Sequence, residues 1–488
     1  MSTLSVVPRS SRPCLTRKSH PLAFFLHCRL KHVQTRNQHT VTAADPALQI
    51  SRDHVSTTRK AQSPLSLLPL STLLRSWAIT GVSSYPVLLT PALKLMSLIA
   101  HSSSPFLNPD RNPIIHFLLK KTFYAQFCAG ETTKEVQSTA QGLRNMGFRG
   151  IILAYGKEIV LEKGEKTKLL SKSAIYSIKP CSLEDQARVS RDVAAWKSGT
   201  LATVNMTEEG DFVALKFSGA GKDAMRQLAC ESSPSPEMEA AMVKICDLAH
   251  SKGVGLLFDA EQDAVQRGID AWTLDFQKRY NSEKAVVYGT YQAYLRSAPA
   301  TVAKHLNAAR EGGFALGVKL VRGAYMASDP RHVFWSTKEE TDKAYNGIVE
   351  ALVCQTWNDV LKAPGAGVAM PEVNLVLASH NQQSVTKCMH TRRQRALEGK
   401  KNVRMAYGQL MGMADEVSCE LVLAAQQKDL VSKDASIGSN TYKYLVWGSV
   451  GECLKYLVRR AEENRDAVSR AQGSRMALTA ELKRRLFG

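Results

Sequence analysis

The sequence predicts an α/β protein, a TIM-like (βα)8 barrel, and three observations predict it. Eight short β-rich runs lie between residues 148 and 449: "FRGIILAYG", "DFVALKFSG", "GVGLLFDAE", "AVVYGTYQAY", "ALGVKLVRGAY", "VNLVLASHN", "VRMAYGQLMG" and "YKYLVWGS". Helical sequence follows each, as in "SPEMEAAMVKICDLAHSKG", "PATVAKHLNAAREGG" and "DEVSCELVLAAQQKD", which is how parallel crossovers read. Most runs carry an ionisable or hydrogen-bonding residue toward their C-terminal end, where a barrel keeps its chemistry. With 488 residues, 44% hydrophobic and 22% charged, the chain can bury one core of barrel size.

The chain falls into three stretches. Residues 1–44 are Ser/Thr-rich and hold Arg9, Arg12, Arg17, Lys18, Arg29, Lys31 and Arg36, with no acid before Asp45. That composition predicts a mitochondrial transit peptide, the plainer alternative being a basic tail. Residues 45–111 are apolar and rich in Ser and Pro. Within them an uncharged run between Arg75 and Lys94 is interrupted by Pro86 and Pro91, which disfavours a membrane-spanning helix. The stretch reads as helices that pack on the main domain and are able to touch a membrane surface. From residue 112 to 488 the composition is that of a folded enzyme domain, entered through "IIHFLLKKTFYAQFCAGE" and "KEVQSTAQGLRNMG".

Charge and cysteine usage remove several function classes. The formal net charge is +20, and removing the seven cations of residues 1–44 leaves +13, spread without a Lys/Arg block interleaved with aromatics. Nucleic-acid binding therefore has net charge as its sole support. The ten cysteines form no CxxC pair and no His/Cys cluster, so neither a disulfide framework nor a metal site is expected.

The strand ends nominate the site. Lys216 ends "VALK"; Asp259 and Glu261 end "LLFDAEQ"; Gln292 lies in "GTYQAY". Lys319, Arg322 and Tyr325 follow in "VKLVRGAY", then His380 and Asn381 in "LASHN" and Tyr444 in "YKYLVWG". One such residue could be a core ion pair; a ring of them converges on the barrel mouth, and its surplus of cations implies an anionic ligand. Arg459 and Arg460 in "KYLVRRAEENRDA" pose a sharper question, because they stand beside apolar Leu457 and Val458. Either they are a solvated pair, with Arg459 bridging to Glu463, or they form an anion clamp of two planar forks. A glycine-rich "SGAGKDA" matches GxGxxG/A at Gly219, Gly221 and Ala224, but Asp223 stands where a P-loop needs Ser or Thr. It reads as a β–α turn.

The fragments "LKFS", "FDAEQ", "YQAYL", "KLVRGAY", "SHN", "QLMGM" and "YLVRRAEEN", taken in order from "FCAGE" to "RRAEEN", resemble the mitochondrial proline dehydrogenase (proline oxidase) family, its fungal members especially. The resemblance implies a distorted (βα)8 barrel binding FAD, with the last helix over the strand ends. It also implies oxidation of L-proline to Δ1-pyrroline-5-carboxylate, a hydride leaving C5 for flavin N5 and electrons passing to quinone at the matrix side of the inner mitochondrial membrane. By the same resemblance Arg459, Arg460 and Lys216 hold the proline carboxylate, Tyr444 and Leu410 pack on its ring, Tyr325 closes the pocket and Asp259 orients Tyr444 and Lys216. Gln292, Lys319, Arg322, the Gly323 and Ala324 backbone, His380 and Asn381 then contact FAD. Glu131 matches a residue that gates the first arginine in bacterial relatives.

The sequence departs from the family pattern at three places. Met326 stands where bacterial relatives put an aromatic residue, Lys319 replaces a bacterial arginine, and Arg267 stands where fungal relatives tend to have proline. Two rival readings stay open: a 4-hydroxyproline dehydrogenase on the same barrel, and a non-catalytic basic barrel docking on anionic membrane.

Overall fold

The structure, a computed structural model, describes residues 63–156, 183–326, 328–426, 440–463 and 468–487. The expected transit peptide, 1–44, lies outside them. All described residues belong to one unit, Ala61–Gly488.

The predicted barrel is present. Among the described residues nine strands run β1 (Cys128–Gly130), β2 (Gly150–Tyr155), β3 (Phe212–Leu215), β4 (Gly255–Phe258), β5 (Val287–Gln292), β6 (Leu316–Val321), β7 (Val373–Ala378), β8 (Arg404–Leu410) and β9 (Thr441–Trp447). Strands β2 to β9 pair in parallel in chain order, and β9 closes the ring against both β8 and β2. The short β1 was not anticipated. Strand β8 pairs with the first part of β9, as far as Leu410 opposite Tyr444, and β1 takes the same strand farther on, at Val446 and Trp447.

The helices are α1 (Leu70–Ser83), α2 (Pro86–His101), α3 (Pro113–Leu119), α4 (Thr133–Asn145), α5 (Leu183–Met206), α6 (Lys222–Ala229), α7 (Pro236–Ser251), α8 (Asp263–Tyr280), α9 (Ala298–Gly312), α10 (Lys338–Cys354), α11 (Gln382–Leu397), α12 (Asp415–Gln426), α13 (Val450–Glu463) and α14 (Val468–Phe487). Their starts follow capping chemistry. Thr337 and Glu340 form a reciprocal capping box on α10, and the Asn381 side chain accepts from Ser384 N at the start of α11.

Side-chain alternation builds two cores from each strand. Val318, Leu320, Leu375 and Leu377 face outward and are covered by helices. Phe212, Tyr288 and Tyr442 face inward, with Phe212 meeting both tyrosine rings edge-on at 5.6 and 5.1 Å. This aromatic layer plugs the barrel, as a filled barrel requires, and the polar strand ends stand above it.

Helices α1 and α2 pack on the barrel unit, as the sequence suggested. Leu73 of α1 joins Leu478 and Leu482 of α14, and Ala100 of α2 joins Leu454 and Val458 of α13. Among the described residues no single helix is long and apolar enough to cross a membrane. The pair α1–α2 passes that test together but is bent by 104°.

Candidate active site

The inward-facing residues at the strand ends do meet. Lys319, on β6, forms a buried ion pair with Asp259, which follows β4. The other Asp259 oxygen accepts from the Tyr444 hydroxyl of β9 at 3.1 Å. The Lys319 ammonium also lies 5.1 Å from the centre of the Tyr444 ring. Three strands thus share one carboxylate, and each polar partner is satisfied, as a buried network must be. Burial first, then the Asp259 charge, push the Tyr444 phenol well above its ordinary range. It stays protonated, a donor at any working pH. Asp259 therefore holds Tyr444 as the resemblance implied, and the lysine it pairs with is Lys319.

Lys216 comes from the end of β3. Its ammonium lies 5.6 Å from the centre of the Tyr456 ring on α13. With Tyr155, Trp196, Tyr444 and Tyr456 it lines a cavity at the ends of β2, β3 and β9.

The paired arginines sit on the roof of this floor. Tyr456, Leu457 and Val458 of α13 are buried, which anchors the helix and leaves Arg459 and Arg460 half-buried at the edge of its apolar face. The Arg459 guanidinium lies 5.6 Å from the Tyr325 ring centre and that of Arg460 lies 5.4 Å from Tyr456. Cations stack on such faces at a modest gain that grows with desolvation. Arg460 is also close enough to Tyr444 to lower its pKa, against the larger effects of burial and Asp259. The partner side chain expected in the solvated reading, Glu463, is outside the described side chains.

The loop carrying Tyr325 is fixed by a glycine that cannot be replaced. Gly323 has φ +143°, and a Cβ there would sit 2.2 Å from a Tyr294 ring carbon. The Tyr294 hydroxyl then accepts from Tyr325 N at 3.2 Å. Tyr325 is buried, and Met326 beside it is 64% exposed. Leu410 stands opposite Tyr444 in the β8–β9 register, and its N–H donates to His380 Nε2 at 3.1 Å. With Nε2 accepting, a neutral His380 ring carries its proton on Nδ1.

Two predicted residues stand elsewhere. Arg322 is three residues from inward-facing Lys319, and an odd separation sends it to the opposite face. Its guanidinium pairs with Asp342, donates to Ser384 Oγ at 2.9 Å and covers the Tyr345 ring at 4.8 Å. It buttresses α10 and α11 behind the strand instead of reaching into the mouth. Glu131, expected beside Arg459, is engaged here with other partners. It takes Lys120 at 2.5 Å and His116 at 3.2 Å, and its other oxygen accepts from Val450 N at 3.2 Å. That is the first turn of α13, nine residues and about 13 Å of helix before Arg459, where a carboxylate answers the positive end of the helix dipole. The aromatic partner that sequence reasoning missed is Tyr456. Its spacing of three and four residues from the two arginines was a visible signal for a shared face.

The residues expected to hold FAD also line the mouth. Gln292, Lys319, His380 and Asn381 form a contiguous arc at the ends of β5, β6 and β7. Thr290 Oγ1 on inward-facing β5 and Ser218 Oγ after β3 are buried without a hydrogen-bond partner in the protein. Such an arc of donors and unsatisfied polar atoms suits a flat, anionic group rich in acceptors.

Comparison with known proteins gives a consistent answer. The sequence profile of the proline dehydrogenase family matches residues 136–473. A probable mitochondrial proline dehydrogenase of Schizosaccharomyces pombe is 30% identical over 86% of this chain and 89% of its own length. Mitochondrial proline dehydrogenase 1 of Dictyostelium discoideum is 29% identical, over 81% of this chain and 71% of its own. A hydroxyproline dehydrogenase of Rattus norvegicus is 27% identical over 76% and 83%. Among solved structures, proline utilization A from Bdellovibrio bacteriovorus, inactivated by N-propargylglycine, superposes with a TM-score of 0.56 at 16% identity, covering 81% of this chain. The chain spans 38% of that larger protein, so the likeness concerns the fold alone.

Proposed function

The chain belongs to the proline dehydrogenase family, which makes it an oxidoreductase, and on that premise we propose that it oxidises L-proline to Δ1-pyrroline-5-carboxylate. The observation that carries the reading is the convergence of Arg459 and Arg460 from the roof with Lys216, Tyr444 and Asp259 from the floor. Lys216 lines the cavity and shares the Tyr456 ring with Arg460, next to Arg459 on the same helix; such a cluster of cations suits a carboxylate, and two adjacent planar forks fix its plane as well as its position. Tyr444 and Leu410, side by side on neighbouring strands, then present a surface for the pyrrolidine ring. Tyr325 closes the side under Arg459.

FAD, held along the β5–β7 arc by Gln292, Lys319, His380, Asn381 and the Gly323–Ala324 backbone, supplies the two-electron acceptor chemistry that side chains lack. The protein's own part is to orient proline C5, to neutralise the carboxylate and to exclude water. Asp259 is committed to Lys319 and Tyr444, so the substrate amine reaches the pocket already neutral. Turnover at low proline should accordingly rise toward alkaline pH in proportion to the neutral amine. A flat profile from neutral to mildly alkaline pH would contradict this order of events. Electrons pass on to a membrane quinone, in keeping with a mitochondrial address on the matrix side of the inner membrane and with the mitochondrial relatives.

The test is anaerobic. The purified chain, reconstituted with FAD, should lose its yellow colour on addition of L-proline, and the Arg459→Met/Arg460→Met variant should keep it. Bleaching by trans-4-hydroxy-L-proline but not by proline would move the chain to the specificity of its hydroxyproline relative. A protein that stays colourless with FAD would leave the non-catalytic barrel.

A further inference from the structure

The arginine helix starts on contacts made by a segment that precedes the barrel. The first turn of an α-helix leaves its backbone N–H groups without partners inside the helix. In α13, Val450 N donates to Glu131 at 3.2 Å, Gly451 N to Asp110 at 2.9 Å and Glu452 N to the hydroxyl of Ser449 at 3.3 Å. The Ser449 hydroxyl donates in turn to the other Asp110 oxygen at 3.0 Å. Asp110 thus binds the helix twice, once directly and once through its capping serine. It lies in the loop between α2 and α3, outside the barrel and before residues 136–473, the part that matches the family profile.

That loop is tied down by its own asparagines. Asn108 accepts from Asp110 N at 2.8 Å and donates to Ser102 O at 3.0 Å. Asn112 donates to Phe106 O at 2.7 Å, and its side-chain oxygen caps α3. His116 joins the carriers of the two carboxylates, with one ring nitrogen 3.2 Å from Pro109 O and the other 3.2 Å from Glu131. Gly451 completes the fit, because a Cβ there would lie 2.4 Å from an Asp110 carboxylate oxygen.

We propose that Asp110 is a positioning residue for substrate binding, seating the arginine helix through its first turn. This rests on the proposed function, in which Arg459 and Arg460 hold the proline carboxylate. Apolar packing through Leu454, Leu457 and Val458 sets the depth of α13 but is non-directional. Hydrogen bonds are directional, so the Asp110 contacts fix the rotation of the helix and its place along its own axis. Both matter at the other end. Arg459 lies eight residues beyond Gly451, about 12 Å along the axis, and adjacent positions diverge by about 100°. The two arginines share the edge of the apolar face over a narrow range of rotation. A helix that turns or slides therefore swings one guanidinium off its aromatic partner. The Asp110 charge acts in the same sense, since a carboxylate at a helix N-terminus answers the dipole.

The experiment combines steady-state kinetics of the FAD-loaded full chain with amide exchange. Asp110 is exposed, so its replacement by alanine opens no cavity. Asp110→Ala should raise KM for proline about fivefold, as loss of a cap contact implies, with kcat and flavin content unchanged and the melting temperature close to wild type. Asp110→Asn, which keeps an acceptor for Gly451 N, should recover most of the difference. Gly451→Ala should also raise KM, although alanine is the better helix former, and should add nothing once Asp110 is alanine. A wild-type KM in Asp110→Ala would overturn the proposal. So would a joint fall in kcat and flavin content, which makes the contact a part of the fold alone. The two readings fail separately. A wild-type chain inert toward proline removes the proposed function, and amide exchange along residues 450–460 then decides the seat of the helix: faster exchange in Asp110→Ala supports it, and equal exchange overturns it.

Discussion

The floor and the roof of the candidate site are built on different principles. On the floor, Asp259, Lys319 and Tyr444 come from three strands whose register is set by the sheet, and their charges cancel inside the protein. On the roof, Arg459 and Arg460 come from one helix held by the apolar packing of Leu454, Leu457 and Val458, and like charges sit on adjacent residues over aromatic faces. A cross-strand network whose charges are paired within the protein keeps its partners without a ligand. A roof that concentrates positive charge is stabilised further by an anion, and a helix can shift where a closed sheet cannot. Pre-organisation belongs to the strands and capture to the helix.

The largest expected effect breaks the roof. Replacing Arg459 and Arg460 together by methionine should lower kcat/KM for proline by roughly a thousandfold or more, since losing one partner of a desolvated charge pair costs about 2–5 kcal/mol. Steady-state kinetics should show it mainly in KM, with flavin content and melting temperature near wild type. Collapse of the flavin content instead would place these arginines in the structure of the floor.

Breaking the floor should be felt in stability as well. Asp259→Asn leaves the Lys319 charge buried without its counter-ion, a change worth about 3–5 kcal/mol. Urea unfolding should register it, and Asp259→Leu/Lys319→Met should recover much of the stability without recovering activity. Equal stability of Asp259→Asn and wild type would deny the pair its place in the core.

A third test lies behind the floor, on the outer wall, where the Tyr291 hydroxyl and His305 Nδ1 are 2.7 Å apart. Burial first, then the Lys304 charge, lower the His305 imidazole to about 4. An unfolded histidine titrates near 6.5, so the unfolded state takes up the proton first as pH falls. The stability this group contributes is complete above about pH 6.5 and is lost on the way down through about 4, by at most about 3 kcal/mol. His305→Gln should flatten that part of the stability–pH curve in urea unfolding, and an unchanged slope would rule the histidine out as its source.

The smallest effect should come from the helix start. Glu131→Gln weakens the contact with the first turn of α13 and should cost roughly 1 kcal/mol. It would be seen as faster amide exchange in that turn and a mild rise in KM for proline. A change confined to kcat would instead speak for a direct gate on Arg459.

The eight barrel strands were legible because each is a short apolar run, most of them rich in β-branched or aromatic residues, with helical sequence after it. The three residues of β1, "CAG", carry no periodicity, and the edge they fill exists only once β8 and β9 have paired. Lys216, Asp259, Gln292, Lys319, His380 and Tyr444 were legible at strand ends, and here they do gather at the mouth. Arg322 was misplaced by reading a motif as a block, although counting two residues at a time from Lys319 puts it outside. The position of Glu131 depends on where α13 begins in space, which no local pattern encodes. Arg267, unexplained from sequence, is 83% exposed at its side chain and 3.4 Å from Glu231, and its environment accounts for no more than that.

The closure of the barrel also dictates when the molecule can be made. Strand β9 must find β2, roughly 290 residues earlier in the chain, and pairings between such distant segments are slow because the intervening loop must be closed first. Both the sealing strand and the arginine helix follow the other eight strands in the chain and are synthesised after them. Until they arrive the growing chain exposes two unpaired edges and an uncovered mouth, which is the condition in which a β-rich intermediate aggregates. A chain cut back before β9 therefore lacks both the closed sheet and the arginine helix, so that truncation from the C-terminal side abolishes the candidate site and the barrel in one step.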